Sequence, residues 1–102
     1  MPRVIIEDLE WDEENEAHLD RHINPDIVHE MIERGDWIQV RNKTLHPREY
    51  VRLIGFEQGV SMLTVVLAPT NFVGVWRPVT AFWSSKKEAD LYHERKRNRF
   101  DR

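Results

Sequence analysis

Tyr50-Val51-Arg52-Leu53-Ile54-Gly55-Phe56, followed after Gln58-Gly59 by Val60-Ser61-Met62-Leu63-Thr64-Val65-Val66-Leu67-Ala68, decides the fold class. Both runs are rich in β-branched and aromatic residues, which suit a pleated surface. Gln58-Gly59 between them reads as a tight turn, so the two runs predict an antiparallel hairpin. Downstream, Pro69-Thr70-Asn71 is a turn cluster and residues 73–82 read as a further strand. Pro78 within it predicts an edge position or a bulge, because proline has no N–H to give to a ladder. Upstream, Trp37, Ile38 and Val40 begin strand-like sequence.

Helices flank this block. Asp12 is a helix cap, its short carboxylate able to satisfy an orphan backbone N–H, and Glu13, Glu14 and Glu16 suit the positive end of the helix dipole. That helix is expected to run to about Ile23. Asn24-Pro25 restarts the chain as cap and first helical residue. Ile27, Val28, Met31 and Ile32 then repeat at helical spacing until Gly35. Ser85-x-x-Glu88 reads as a capping box opening a last helix to about Arg97. The predicted architecture is α+β: two N-terminal helices, a three- to four-stranded antiparallel sheet and a C-terminal helix, with the helices covering one sheet face.

With 102 residues the chain has room for one domain, residues 1–102, and one modest core. Its composition, 40% hydrophobic and 32% charged, is that of a packed globular protein. There is no cysteine, which excludes disulfides, thiolate metal sites and a Cys nucleophile. A cytoplasmic location fits that usage. The opening apolar run, Val4-Ile5-Ile6, is too short for a signal peptide, and the longest apolar stretch, Met62 to Pro69, is too short to span a bilayer. No membrane association is expected.

The net charge of −3 hides a polarity. Residues 1–36 carry twelve acids and three bases, residues 37–85 two acids and five bases, and residues 86–102 four acids and seven bases. A polyanion would therefore meet the strand region and the last helix, since Lys and Arg supply most nucleic-acid affinity. The plainer account is that the acids merely solvate a helix face.

Several residues are candidates for chemistry. His18 and His22 share a helix face, but a pair at that spacing lacks the further ligands that zinc requires, so acid–base work suits them better. Arg77 alternates with Val75 and Val79, opposite Trp76, Pro78 and Thr80. Its guanidinium needs either an acid such as Glu88 or a phosphate, whose oxygens it can grip two at a time. Glu88 is explained by the capping box. Tyr92, four residues on, is either an amphipathic core-edge residue or a platform for an unstacked base. Arg48 and Arg52 flank Tyr50 on one strand face, a basic and aromatic pattern shared by RNA surfaces and by ordinary solvated sheets. Lys86 and Lys87 add charge nearby. The four tryptophans, Trp11, Trp37, Trp76 and Trp83, read first as core. Phe82 and Trp83 are adjacent and face opposite ways, so one is left to anchor a protein contact.

The pieces Trp11-Asp12-x-x-Asn15-x-x-His18-Leu19-x-Arg21-His22 and Trp76-Arg77-Pro78-Val79-Thr80-Ala81, with Glu88 and Tyr92, resemble the BrnT-type toxins over roughly Glu10 to Glu94. Those are small bacterial ribonucleases of toxin–antitoxin pairs with a RelE-like fold. The resemblance implies a metal-independent endoribonuclease in which the 2′-hydroxyl attacks the adjacent phosphate, using an acid, a base and a cation and no cofactor. On this reading Arg77 stabilises the phosphorane, His22 transfers a proton, and Tyr92 completes the catalytic set by placing the substrate. Arg48, Arg52, Lys86 and Lys87 hold RNA. The implied partner is a BrnA-like antitoxin, met at Phe82 or Trp83, whose complex with the toxin binds operator DNA.

The chain departs from that family's pattern at three places. Asn15 stands where the family has Lys, Ile23 where it has Gly, and Phe82 where it often has a second Arg. Together with a pI near 5.9, these departures favour an alternative: a catalytically inactive RNA- or partner-binding member of the fold. A third reading is a protein-interaction domain whose acidic first helix meets a basic partner.

Overall fold

A computed structural model describes residues 4–41, 47, 49–57 and 61–100. The fold is α+β, in the order β1 (Asp8–Leu9), α1 (Glu13–Asp20), α2 (Pro25–Arg34), β2 (Trp37–Val40), β3 (Val51–Glu57), β4 (Ser61–Pro69), β5 (Val75–Trp83) and α3 (Lys86–Phe100). The predicted turn at Gln58-Gly59 lies outside the described residues, although β3 and β4 pair antiparallel from Val51↔Leu67 to Glu57↔Ser61.

The caps are those expected from the sequence. Asp12 accepts from the Asn15 N–H at 3.0 Å, and the Asn15 side chain accepts from the Asp12 N–H at 2.8 Å. Asn24 caps α2, with Pro25 at its start. Gly35 ends it at φ 71°, a left-handed conformation that glycine adopts without a Cβ penalty. α1 stops at Asp20 rather than near Ile23, because the His22 and Ile23 N–H groups both turn back to the Leu19 carbonyl. α3 continues to Phe100, beyond the expected Arg97.

Two features of the sheet differ from expectation. It has five strands in the order β1-β5-β4-β3-β2, and β1 lies parallel to β5. The four-strand antiparallel meander is present, and the parallel edge strand is added to it. The helices also cover both faces. On one face Leu53, Leu63, Val65, Leu67 and Ala81 join Leu19 of α1 and Val28 and Met31 of α2. On the other, Ile38, Val40 and Ile54 pack on Tyr92 of α3. Successive strand residues point to opposite faces, and the strands are apolar at both parities: β4 is buried from Leu63 to Ala68. A sheet apolar on both faces needs a layer on each.

Close packing fixes one glycine. A Cβ on Gly55 would lie 2.9 Å from the Asp36 carbonyl oxygen and 3.0 Å from the Trp37 Cβ, so only hydrogen lets β3 approach the α2–β2 corner. Three of the tryptophans contribute to the core: Trp37 is buried, and Trp11 and Trp76 pack against its edge. Trp83 does not, being 49% exposed.

Candidate functional site

β5 carries the candidate residues, and a bulge sets their directions. Val66 pairs with Thr80 but Leu67 pairs with Pro78, so Val79 is the extra residue. The strict alternation read from the sequence therefore breaks. Arg77 shares its face with Thr80, and Pro78 shares the opposite face with Ala81. Pro78 occupies the place its chemistry allows: it needs no ladder donor there, and its carbonyl accepts from the Asn15 side chain at 3.2 Å.

Arg77 is held by carboxylates. Its Nη1 and Nη2 donate to the two oxygens of Asp12 at 2.6 and 3.1 Å, and Nη1 also reaches Glu10 at 3.2 Å. This bidentate fork is the geometry in which guanidinium and carboxylate bind best. It holds the Asp12 carboxyl down at about 2, assisted by the Asn15 N–H, and holds Arg77 above its ordinary value against partial burial. The acid that the sequence suggested for Arg77, Glu88, belongs to a different arginine. Arg77 instead ties β5 to the end of β1 and the cap of α1.

Arg52 occupies the buried pair. Its Nη2 lies 2.9 Å from Glu88 Oε2, with both side chains less than a tenth exposed. Glu88 also accepts from Thr64 Oγ1 at 3.2 Å and from the Ser85 N–H and hydroxyl at 3.0 and 3.1 Å, the last two completing the α3 capping box. Burial acts to raise the Glu88 pKa, but the Ser85 donors, Arg52 and Thr64 outweigh it and hold the carboxyl below its usual value. Among the described residues Arg52 Nε finds no hydrogen-bond partner. As placed, Arg52 is half of a core ion pair, 6% exposed.

Tyr92 is likewise internal. It is 3% exposed and donates to Asp36 at 2.8 Å, while Lys96 lies 2.6 Å from the same carboxylate and 5.4 Å from the Tyr92 ring centre. Lys96 holds the Asp36 carboxyl below its ordinary value against burial, with Tyr92 adding to the effect. Asp36 has no local sequence signal that marks this role.

The three residues assigned to catalysis are therefore not brought together. Arg77 sits at the N-cap of α1, and exposed His22 lies past its far end, roughly 12 Å along the axis. Tyr92 packs over β2 and β3, about 10 to 14 Å across the sheet from β5. His22 has His18 as an edge-on neighbour at 6.3 Å. Among the described residues no group of three or more His, Asp or Glu is placed to hold a metal ion. Arg48 lies outside the described residues.

Exposed candidates gather at the other end of β5. Phe82 is 40% and Trp83 49% exposed, on opposite faces of the strand, and Lys86 and Lys87 are exposed on the first turn of α3. Lys86 pairs with Asp90 one turn on, at 3.3 Å. A separate cleft of about 390 Å³, lined by Ile6, Glu7, Asp8, Leu9, His29, Ile32 and Glu33, holds none of the residues assigned to RNA or catalysis. No helix among the described residues is long and apolar enough to cross a membrane. In comparisons with known proteins, no family model, curated protein or solved structure matches the chain.

Proposed function

We propose that this chain is the toxin-like member of a toxin–antitoxin type pair, with a BrnT-like and RelE-like fold, and that it acts by binding a partner protein. The observation that carries this reading is the exposed pair Phe82 and Trp83 at the end of β5, beside Lys86 and Lys87. Large aromatic side chains left in water are the usual anchors of protein contacts. The residues that cleavage would require are engaged elsewhere: Arg77 with Asp12 and Glu10, Arg52 with Glu88, and Tyr92 with Asp36. The partner is an antitoxin-like protein, and the pair together would bind operator DNA in the cytoplasm.

The test is titration of the purified protein with the product of the neighbouring reading frame. Loss of a central aromatic anchor costs about 2 kcal/mol or more, so Trp83→Ala or Phe82→Ala should weaken binding roughly thirtyfold. Wild-type affinity in both variants would remove the reading.

Metal-independent RNA cleavage is the second reading, favoured by one observation: Arg77 keeps 27% of its side chain exposed at the sheet surface, where a phosphate could compete with Asp12. Cleavage of a structured RNA in excess EDTA by wild type but not by Arg77→Ala would establish it. Intact RNA at high protein concentration would exclude free-RNA cleavage under those conditions.

A further inference from the structure

Among the described residues, the large apolar side chains left in water fall into two groups at opposite ends of β5. One is Phe82 and Trp83, next to Lys86 and Lys87 of α3. The other is Ile5, Phe72 and Val73, which are 72%, 71% and 100% exposed. Hydrogen bonds gather this second group around the β4–β5 turn: Trp76 Nε1 donates to the Ile5 carbonyl at 3.1 Å, and the Glu7 and Asp8 N–H groups both reach the Gly74 carbonyl. The turn itself is held firmly. The Thr70 hydroxyl accepts from the Phe72 N–H at 3.2 Å and donates to the Val75 carbonyl at 2.7 Å, the Val75 N–H returns to the Phe72 carbonyl, and Gly74 takes φ 86°. A rigid turn that displays Phe72 and Val73 loses little entropy when they are covered. Its charge is acidic. The Glu7 carboxyl carbon would lie 3.0 Å from a Cβ on Gly74, Asp8 is exposed beside it, and the cation of β5, Arg77, is held by Asp12 and Glu10.

We infer that these two ends bind each other between copies of this chain, the acidic apolar turn of one copy seating on the basic aromatic end of the next. Charge complementarity chooses the occupant. Phe82 and Trp83 beside two lysines suit an acidic apolar surface, and Ile5, Phe72 and Val73 beside Glu7 and Asp8 supply one. Lys86, although paired with Asp90, keeps 92% of its side chain exposed. Like ends repel, since a symmetric contact would set lysines against lysines or carboxylates against carboxylates. The nine residues of β5 hold the two ends roughly 25 Å apart, so one copy cannot close on itself. The contact is therefore head to tail, and it propagates into open chains unless its rotation closes a ring. This goes beyond the partner-binding reading but shares Phe82 and Trp83 with it, so a partner that covers those residues would end each chain.

The experiment is sedimentation velocity and backbone amide NMR on the whole protein from roughly 10 μM to 1 mM, a span that covers weak, small interfaces. At low salt the average mass should keep rising with concentration, and the amides of Phe72 to Gly74 and of Phe82 to Lys87 should shift together. Raising the ionic strength from about 0.02 M to about 0.5 M should weaken the association at least about threefold. Phe82→Ser/Trp83→Ser and Phe72→Ser/Val73→Ser should each stay monomeric alone. An equal mixture of the two should form a dimer that grows no further, because each variant keeps one working end. Four outcomes would overturn the inference: a wild type that stays monomeric at the highest concentration, shifts confined to one end, association indifferent to salt, or variants that assemble separately as wild type does. If a variant does not fold, the wild-type masses and shifts decide alone. Should self-association fail while the neighbour-encoded partner still requires Phe82 and Trp83, the head-to-tail contact is wrong and the partner reading stands. Chains that form as described, with a partner that ignores both residues, mean the reverse.

Discussion

Replacing Glu88 with Gln should destabilise the protein by about 3–5 kcal/mol, the cost of leaving one charge of a buried pair without its partner. The magnitude follows from where Arg52 lies. Its side chain is 8% exposed, Nη2 depends on Glu88 at 2.9 Å, and among the described residues Nε has no partner to share the load. A glutamine amide set opposite the guanidinium would present either a neutral oxygen or a second donor. Arg52→Met should cost less, because Glu88 keeps its Ser85 and Thr64 donors. The double variant Arg52→Met/Glu88→Gln removes both charges and should recover most of the loss, so the coupling between the sites should exceed about 2 kcal/mol. Urea unfolding of the four proteins measures it. For a domain of this size, about 3 kcal/mol also lowers Tm by roughly 12 °C or more. A coupling within about 0.5 kcal/mol of zero, the value typical of exposed pairs, would refute the reasoning. The pH dependence has a definite sign. Glu88 is held below its usual 4.5, so its contribution is present above that value and is lost as pH falls through the lower folded value. The gap between wild type and Glu88→Gln should therefore close in acid.

Arg77→Ala should raise the Asp12 pKa from about 2 toward 3.8, read from the pH titration of its carboxyl carbon by NMR; an unmoved titration would mean that Arg77 is not its main partner. The stability this pair supplies is present above 3.8 and disappears as pH falls through about 2. Gly55→Ala should cost about 1–3 kcal/mol in urea unfolding, since the new methyl meets the backbone of Asp36. A neutral result would mean the β3 crossing is looser than described. Asn15→Ala should cost about 2 kcal/mol, combining a lost cap with the lost bonds to the Glu10 and Pro78 carbonyls. A loss no greater than that of an exposed cap would count against the Pro78 contact.

The helices and the meander were legible because their signals are local. Asp12, Asn24-Pro25, Gly35 and Ser85-x-x-Glu88 each act on backbone groups within a few residues, and the β-branched and aromatic content of β3 and β4 is carried by the strands themselves. β1 was not legible: two residues are too few to show a period, and its partner lies at the far end of the chain. The covering of both faces was in principle visible in the near-continuous apolar run of β4, Met62 to Ala68 with Thr64 inside it, which marks a strand buried on two sides. Pro78 announced an edge or a bulge, and the structure has the bulge, with β5 lying between β1 and β4; proline does not say which residue the bulge inserts, and every side-chain direction beyond it depends on that. The ion pairs were the least readable part. Arg77 and Arg52 each needed an acid, and nothing in their own neighbourhoods distinguished Asp12 from Glu88, because the choice is made by strand order.

The bond from Arg77 to Asp12 joins residues 65 positions apart, and it is accompanied by the parallel β1–β5 ladder and the Asn15 contact to Pro78. On a ribosome the first-made strand and helix cap must therefore wait for almost the last-made strand. Until β5 emerges, the acidic front of the chain has no docking place, and β4 presents a bare edge to the solvent. Closing so long a loop is slow compared with forming the β3–β4 hairpin. The meander should thus be ordered well before the N-terminal segment is fastened, and any process that acts on the nascent chain meets a half-built sheet first.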